Sequence, residues 1–83
     1  MGNQEYVMQR AIVLVNLVPG ADDQTIASLK GLPGVVQVYQ TYGLYDVLMI
    51  IEGADEQEIK STITGKLRMN KNISSTITMK VVG

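Results

Sequence analysis

The sequence predicts one α+β domain in which a four-stranded antiparallel sheet is combined with two helices. Three observations predict it. The 83 residues leave room for a single domain. Apolar residues make up 46% of them, which suffices for a packed core. Runs of β-branched residues alternate with two segments of helical periodicity, in the order β-α-β-β-α-β. This order is that of a ferredoxin-like fold.

The first half of the chain predicts a strand, a helix and a second strand. Residues Ala11–Val18 are aliphatic almost throughout and end at Pro19-Gly20, which favours a buried strand closed by a turn. Apolar residues three apart then predict a helix over Asp22–Lys30, with Gly31 in the position that favours a left-handed cap. Enrichment in Val and Tyr predicts the second strand over Val35–Thr41.

The second half predicts a hairpin, a helix and a last strand. Extended character resumes over Tyr45–Glu52, so the second and third strands should form a hairpin around Tyr42-Gly43-Leu44. The second helix is predicted over Asp55–Met69, because its first residue is followed three positions later by Glu58 in the manner of a capping box. Alternation of polar and apolar residues predicts the fourth strand over Ser74–Val82.

The two helix starts also share a short sequence. The first start has the sequence Gly20-Ala21-Asp22-Asp23-Gln24. A similar sequence, Gly53-Ala54-Asp55-Glu56-Gln57, follows 33 residues later. The same offset superimposes Leu14 and Val15 on Val47 and Leu48. Two independent good helix starts would explain the Asp residues but not the whole string. The repeat therefore favours two βα units of one design.

The strands carry more apolar residues than one covered face of a sheet requires. When helices cover one face and water wets the other, each strand should alternate between apolar and polar residues. Leu48 and Ile50 are nevertheless aliphatic on the second face of the third strand, as Ile12 and Leu14 are on the first strand. A central strand can be apolar on both faces for packing at its ends, but the excess on two strands favours a second subunit. The sequence predicts a homodimer that pairs through its sheets as an α+β barrel.

Composition excludes several classes of function. The chain has no Cys and no His, which argues against disulfides, zinc sites and the usual catalytic bases, so we expect no metal, no cofactor and no enzymatic activity. Seven Lys and Arg against eight Asp and Glu, without a basic run, argue against direct nucleic-acid binding. No apolar stretch approaches the roughly 20 residues of a membrane helix. We therefore expect a cytoplasmic protein without membrane contact, with residues 1–10 as an N-terminal extension.

Asp46 is the one carboxylate without an evident structural role. It begins a strand whose neighbours are aliphatic, where a carboxylate has poor β-propensity and needs donors. An Asx interaction with the hairpin amides and a contact with a ligand explain it equally well. The hydroxyls of Thr76 and Thr78 project to one face of the last strand.

Residues from about Ala11 to Val82 resemble the ligand-sensing domain of the Lrp/AsnC family, also called the RAM domain. Four elements carry the resemblance: Ile12–Val15, Leu29–Val35 with its Leu-Pro-Gly-Val sequence, the hairpin Gly43–Leu48 with Gly-x-Tyr-Asp-Val, and Ser75–Thr78. The resemblance implies a single domain over residues 11–83 that pairs through its sheet. It also implies higher oligomers, with amino-acid effectors held between dimers.

The resemblance further implies which residues bind the effector. They are the hairpin residues Gly43, Leu44, Tyr45 and Asp46, with Thr76 and Thr78 on the neighbouring strand. Amides near Gly43 would receive the effector carboxylate, and Asp46 would accept from its ammonium group. Full-length members carry an N-terminal helix-turn-helix domain, whereas about ten residues precede the first strand here. The chain is thus expected to resemble stand-alone members, which act by associating with full-length regulators.

Two other functions stay open on the sequence. Dimeric α+β barrels of similar size include small enzymes, so a cofactor-free enzyme that uses Asp46 or a Tyr is one alternative. A structural assembly protein without any effector is the other. Stabilisation against heat by an amino acid would separate an effector-binding domain from an assembly protein.

Overall fold

A computed structural model describes residues 8–82, and most of the predicted N-terminal extension (residues 1–7) lies outside the described residues, as does Gly83. The predicted element order is confirmed. The strands are β1 (Gln9–Leu17), β2 (Val35–Gln40), β3 (Val47–Gly53) and β4 (Ile73–Lys80), and the helices are α1 (Asp23–Lys30) and α2 (Glu56–Thr62), the latter continued by a π turn (Ile63–Leu67). The first strand begins two residues earlier than predicted.

The four strands form one antiparallel sheet in the order β2-β3-β1-β4, so the predicted ferredoxin-like fold is confirmed. The two central strands place their buried residues on the face that the helices cover. Leu29 of α1 and Ile59 of α2 pack there, together with Ile63 and Leu67 of the π turn. The core consists of these four and the strand residues Ala11, Val13, Val15, Val47, Met49 and Ile51.

Both helices begin with an Asp cap, as the shared sequence predicts. Oδ1 of Asp22 accepts from the amide of Thr25 at 3.3 Å, and Oδ1 of Asp55 accepts from the amide of Glu58 at 3.0 Å. The Glu58 carboxylate reaches back to the amide of Ala54 at 2.9 Å, one residue before the position of a standard capping box.

The repeat does not extend into the strands. The 33-residue offset superimposes Val15, which is fully buried, on Leu48, which is only half-buried on the other face. The buried residues of β1 and of β3 all fall at odd-numbered positions, and side chains alternate between faces along a strand, so an offset of 33 exchanges the two faces. The shared sequence therefore describes two similar helix starts and not two superimposable βα units.

The predicted left-handed cap at Gly31 is wrong. Gly31 has φ −90°, because its amide closes the end of α1 on the carbonyl of Ser28 at 3.2 Å. The positive φ angle occurs three residues later, at Gly34 (+82°), where the chain turns into β2. The carbonyl of Gly34 accepts from the amide of Glu52 at 2.8 Å, and a Cβ at Gly34 would stand 2.5 Å from the Glu52 carbonyl oxygen. Only glycine fits this approach of two backbones.

The face of the sheet away from the helices, here called the open face, is apolar across all four strands. Two rows of paired residues cross it: Tyr39, Leu48, Leu14 and Ile77 in one, and Gln37, Ile50, Ile12 and Met79 in the other. Polar pairs border the patch at both ends. Arg10 donates to Glu52 at 2.9 Å at one end, and Asn16 donates to Ser75 at 3.4 Å at the other. The prediction that β1 and β3 are apolar on both faces is confirmed.

Strand β4 is apolar on the open face and polar on the helix-covered side, whereas the central strands are apolar on both faces. Ile77 and Met79 lie on the open face, where they are 43% and 44% exposed. Thr76 and Thr78 are paired with the core residues Val15 and Val13 and so lie on the helix-covered side. The helix layer therefore meets short polar side chains over β4.

Within residues 8–82 no helix is long and apolar enough to cross a membrane.

Candidate functional site

The β2–β3 hairpin is held at its base by main-chain and side-chain hydrogen bonds. The amide of Thr41 donates to the carbonyl of Asp46 at 2.9 Å, and the Thr41 hydroxyl donates to the carbonyl of Tyr45 at 2.6 Å. Gly43 takes φ +123° at the tip. The side chains of Tyr42 and Leu44 are almost fully exposed, at 105% and 87%. The tip is thus a fixed turn that offers its side chains to a partner or a ligand.

Asp46 ties the hairpin to the end of β1. Its Oδ2 accepts from the amide of Leu17 at 2.8 Å, and its own amide donates to the carbonyl of Val15 at 3.0 Å. The sequence allowed an Asx interaction between Asp46 and the hairpin amides. That explanation is wrong, because the carboxylate accepts instead from an amide of the neighbouring strand β1. Within residues 8–82, Oδ1 of Asp46 accepts no hydrogen bond. One oxygen is structural and the other faces solvent, so the role in ligand binding stays a prediction.

A groove of about 480 Å³ lies beside Asp46 and is here called the hairpin groove. The β1–α1 connection forms one wall and the hairpin base forms the other. It is lined by Leu17–Pro19, Ala21–Asp23, Ile26, Gln40–Tyr42 and Asp46. Asp22, Asp23 and Asp46 are three carboxylates among these residues, and the set contains no Lys or Arg. The hairpin groove therefore attracts cationic groups.

Within one chain, the six residues predicted to bind a ligand are not brought together in one groove. Asp46 lines the hairpin groove, whereas Gly43, Leu44 and Tyr45 form the tip just outside its lining. Thr76 and Thr78 are on β4, which is separated from β3 by β1, so their placement on the strand next to the hairpin is wrong. Two strand spacings, about 10 Å, lie between Thr76 and β3. Thr78 instead lines a second groove beneath α2.

Sequence reasoning missed several residues of the hairpin groove. The sequence explains Asp22 and Asp23 as the start of α1 and Tyr42 as part of a turn, so it does not mark them as site residues. The turn at Pro19-Gly20 was the available signal, because it directs the start of α1 back towards the hairpin base. No group of three or more acidic side chains within the described residues is arranged to hold a metal ion.

The ferredoxin-like sheet and the groove at its hairpin define a domain of the ligand-binding type. Residues 10–82 match the family model described as the Lrp/AsnC ligand binding domain, and the chain belongs to this family. The resemblance that the sequence elements indicated is thereby confirmed. The chain is related to transcription regulators in which such a domain has a regulatory role.

Several known proteins are similar to this chain in sequence or in structure. LysM of Saccharolobus solfataricus, an HTH-type transcriptional regulator, is 40% identical over 55 residues, which are 65% of this chain and 39% of LysM. The crystal structure of FFRP-DM1 superimposes with a TM-score of 0.84 at 28% identity, over 90% of this chain and 100% of that one. Regulator NMB0573 of Neisseria meningitidis, solved as an L-Met complex, gives a TM-score of 0.80 at 17% identity, over 90% and 50% of the two chains. The chain spans less than half the length of the curated relatives it matches.

Proposed function

We propose that the domain is a non-catalytic sensor of an amino-acid effector, which binds in the hairpin groove, and that it works as a homodimer paired through the open face. The observation that carries the proposal is the set of three carboxylates in a groove next to a hairpin tip with exposed amides. An amino acid has both an ammonium and a carboxylate group, and this arrangement offers a complement to each.

The carboxylates supply the site for the ammonium group. Asp46 has one oxygen that is not engaged by the amide of Leu17, and Asp23 lies in the same groove. Hydrogen bonds between charged partners are shorter and about twice as strong as neutral ones. The ammonium group is therefore expected beside Asp46, between the hairpin base and the start of α1.

The hairpin tip supplies donors for the carboxylate group. The main-chain amides of residues 42–45 donate to no other described residue, and Gly43, which has no Cβ, leaves the backbone at the tip uncovered. Amides that face solvent can donate hydrogen bonds to an anionic ligand at little desolvation cost. Gly43, Leu44 and Tyr45 thus contribute through their backbone, which supports the contacts that the family resemblance implies.

The open face supports the dimer. Seven of the eight residues in its two central rows are apolar, and polar pairs border the patch on two sides. Patches of this kind mark interfaces, because monomers rarely leave them in water. Dimers could assemble further and could associate with full-length regulators of the family. The L-Met complex of the structurally similar NMB0573 agrees with an amino-acid effector. The cytoplasmic location stays a prediction.

The experiment is a thermal-unfolding screen of the domain against the twenty amino acids, followed by calorimetric titration of the hit. A ligand that binds only the folded state raises its stability. Asp46→Asn keeps an oxygen for the amide of Leu17 and removes the charge, so we expect unchanged unfolding and effector binding about tenfold weaker or more. Asp46→Ala also removes the hydrogen bond and is expected to lose about 1 kcal/mol of stability besides.

The two Asp46 variants separate the ligand role from the structural role. If Asp46→Asn binds the effector as tightly as the native domain, Asp46 holds only the hairpin and the proposed site is wrong. If no amino acid stabilises the domain, it is an assembly protein or takes another ligand. Asp55→Asn serves as the control, because Asp55 caps α2 as Asp22 caps α1 but lies outside the hairpin groove.

A further inference from the structure

A second groove, of about 290 Å³, lies between α2 and the edge of the sheet formed by β1 and β4, and is here called the basic groove. Ala11, Ile59 and Ile63 form its apolar floor and are 2%, 7% and 7% exposed. The groove exists because β4 turns the short side chain of Thr78 towards α2, where a larger apolar residue would have filled the space. It is independent of the effector site proposed above.

Positive charge dominates the rim of this groove. Lys60, Arg68 and Lys80 line it together with a single carboxylate, Glu56, which forms an ion pair with Lys80. Arg10 also borders the groove, but its guanidinium group is bound to Glu52. Within residues 8–82, neither Lys60 nor Arg68 forms an ion pair. Two cations are thus available to a ligand in a chain whose net charge is −1.

The π turn contributes to this arrangement. Glu56, Lys60, Thr64 and Arg68 recur every four residues along one side of the helix, next to the buried stripe of Ile59, Ile63 and Leu67. In an α-helix of 3.6 residues per turn, such a series drifts around the axis. The amide of Arg68 bonds the carbonyl of Ile63 at 2.9 Å, five residues back, and this wider turn takes up the drift.

We propose that the basic groove is a second ligand site, which binds a small organic anion that has one carboxylate and a short aliphatic tail. The guanidinium group of Arg68 receives the carboxylate, since its planar donors match both oxygens. Lys60 adds a second positive charge at the rim of the same groove. The tail lies on Ala11, Ile59 and Ile63. The volume is just below the range of pockets for drug-sized ligands, which suits a molecule of a few carbon atoms.

Hexanoate is a suitable probe, and methyl NMR spectra of the whole chain report where it binds. We expect hexanoate to shift the methyl signals of Ala11, Ile59 and Ile63 at millimolar concentration while those of Thr41 stay in place. Acetate lacks the tail and hexan-1-ol lacks the charge, so both should bind at least several-fold more weakly. Equal binding of all three, or shifts at Thr41 instead of the floor, would overturn the proposal.

Three variants test the chemistry. Arg68→Gln should weaken hexanoate binding about tenfold, which is the effect of losing a hydrogen bond to a charged group. Lys71→Gln makes the same change in net charge outside the groove and should leave binding unchanged. Thr78→Leu should block the site by bulk without any change in charge.

Several results would contradict the second site. The second site is contradicted if Arg68→Gln or Thr78→Leu binds hexanoate with native affinity. It is also contradicted if Arg68→Gln and Lys71→Gln lose the same amount of hexanoate affinity. The amino-acid screen is unaffected by these results. Failure of the basic groove and failure of the proposed effector site can therefore be told apart.

Discussion

The two grooves lie at opposite ends of β1 and carry opposite charge. The hairpin groove begins at Leu17 and contains three carboxylates. The basic groove begins at Gln9 to Ala11 and contains, over an apolar floor, two cations that form no ion pair within residues 8–82. Six residues of strand, about 20 Å, separate Leu17 from Ala11. The same sheet and the same helix layer form both. The difference teaches that connections and helix surfaces, and not the sheet, set which ligand charge each end attracts.

The largest expected effect comes from the open face, which belongs to neither groove. Leu48→Glu places an unpaired charge in the centre of the predicted interface, and burying it costs several kcal/mol, so the dimer should dissociate. Light scattering measures the mass. Ala27→Glu adds the same charge to an exposed position of α1 and should leave the dimer intact.

The Leu48→Glu variant also tests how the grooves depend on assembly. All lining residues of the basic groove come from one chain, so the monomeric variant should bind hexanoate within about twofold of the native affinity. A dimer that persists in Leu48→Glu would move the interface to another surface. Loss of hexanoate binding in a folded monomer would show that the basic groove is completed by the partner.

The next largest expected effect is on the stability of the sheet, which contributes residues to both grooves. Gly34→Ala forces a Cβ to within 2.5 Å of the Glu52 carbonyl oxygen at a φ of +82°, and should cost about 3 kcal/mol or more of the free energy of unfolding. Urea unfolding measures it. At Gly43→Ala the new Cβ meets no atom of the described residues within 4 Å, so only the backbone strain remains, about 1 to 3 kcal/mol. Equal losses in the two variants would contradict the close approach at Gly34.

The smallest effects come from matched carboxylates in the first turns of the two helices. Glu56→Gln removes the one carboxylate of the basic groove and releases Lys80, so hexanoate should bind a few-fold more tightly while stability falls by less than about 1 kcal/mol. Asp23→Asn makes the corresponding change in the hairpin groove and should weaken the amino-acid effector a few-fold. Calorimetric titration measures both affinities. If Glu56→Gln and Asp23→Asn each change the affinities for hexanoate and for the amino acid in the same direction, the net charge of the protein controls binding, and not the charge of each groove.

Much of the fold could be predicted because its signals are local. The Asp caps of both helices precede apolar residues at helical spacing, and the three residues Ile59, Ile63 and Leu67 are buried as that spacing requires. Two predictions failed where the answer depended on a neighbour in space. Gly31 resembled a left-handed cap, yet the close approach to Glu52 places the positive φ at Gly34. The repeat at the helix starts did not carry into the strands, whose faces are set by register.

The candidate site was predicted only in part. Asp46 is the one carboxylate for which the sequence shows no structural role, and the structure supplies one: its partner is the amide of Leu17, 29 residues away, which no local pattern reveals. Thr76 and Thr78 were placed next to the hairpin, since alternation along a strand does not reveal which strands lie beside it. The basic groove could not be foreseen at all, because its cations come from α2, from the π turn and from β4.

The order of the elements, their amphipathic faces and the apolar excess on the open face all follow from the sequence, because they depend on residues that are close along the chain. The tertiary structure alone decided the strand order, which inserts β1 between the hairpin and β4. It also decided which charges share a groove. Strand pairing and the packing of α2 over β4 bring together residues from distant positions, and no local spacing encodes such contacts. A pattern along the chain therefore reports which face of an element is buried, and the packing of whole elements decides what each face meets.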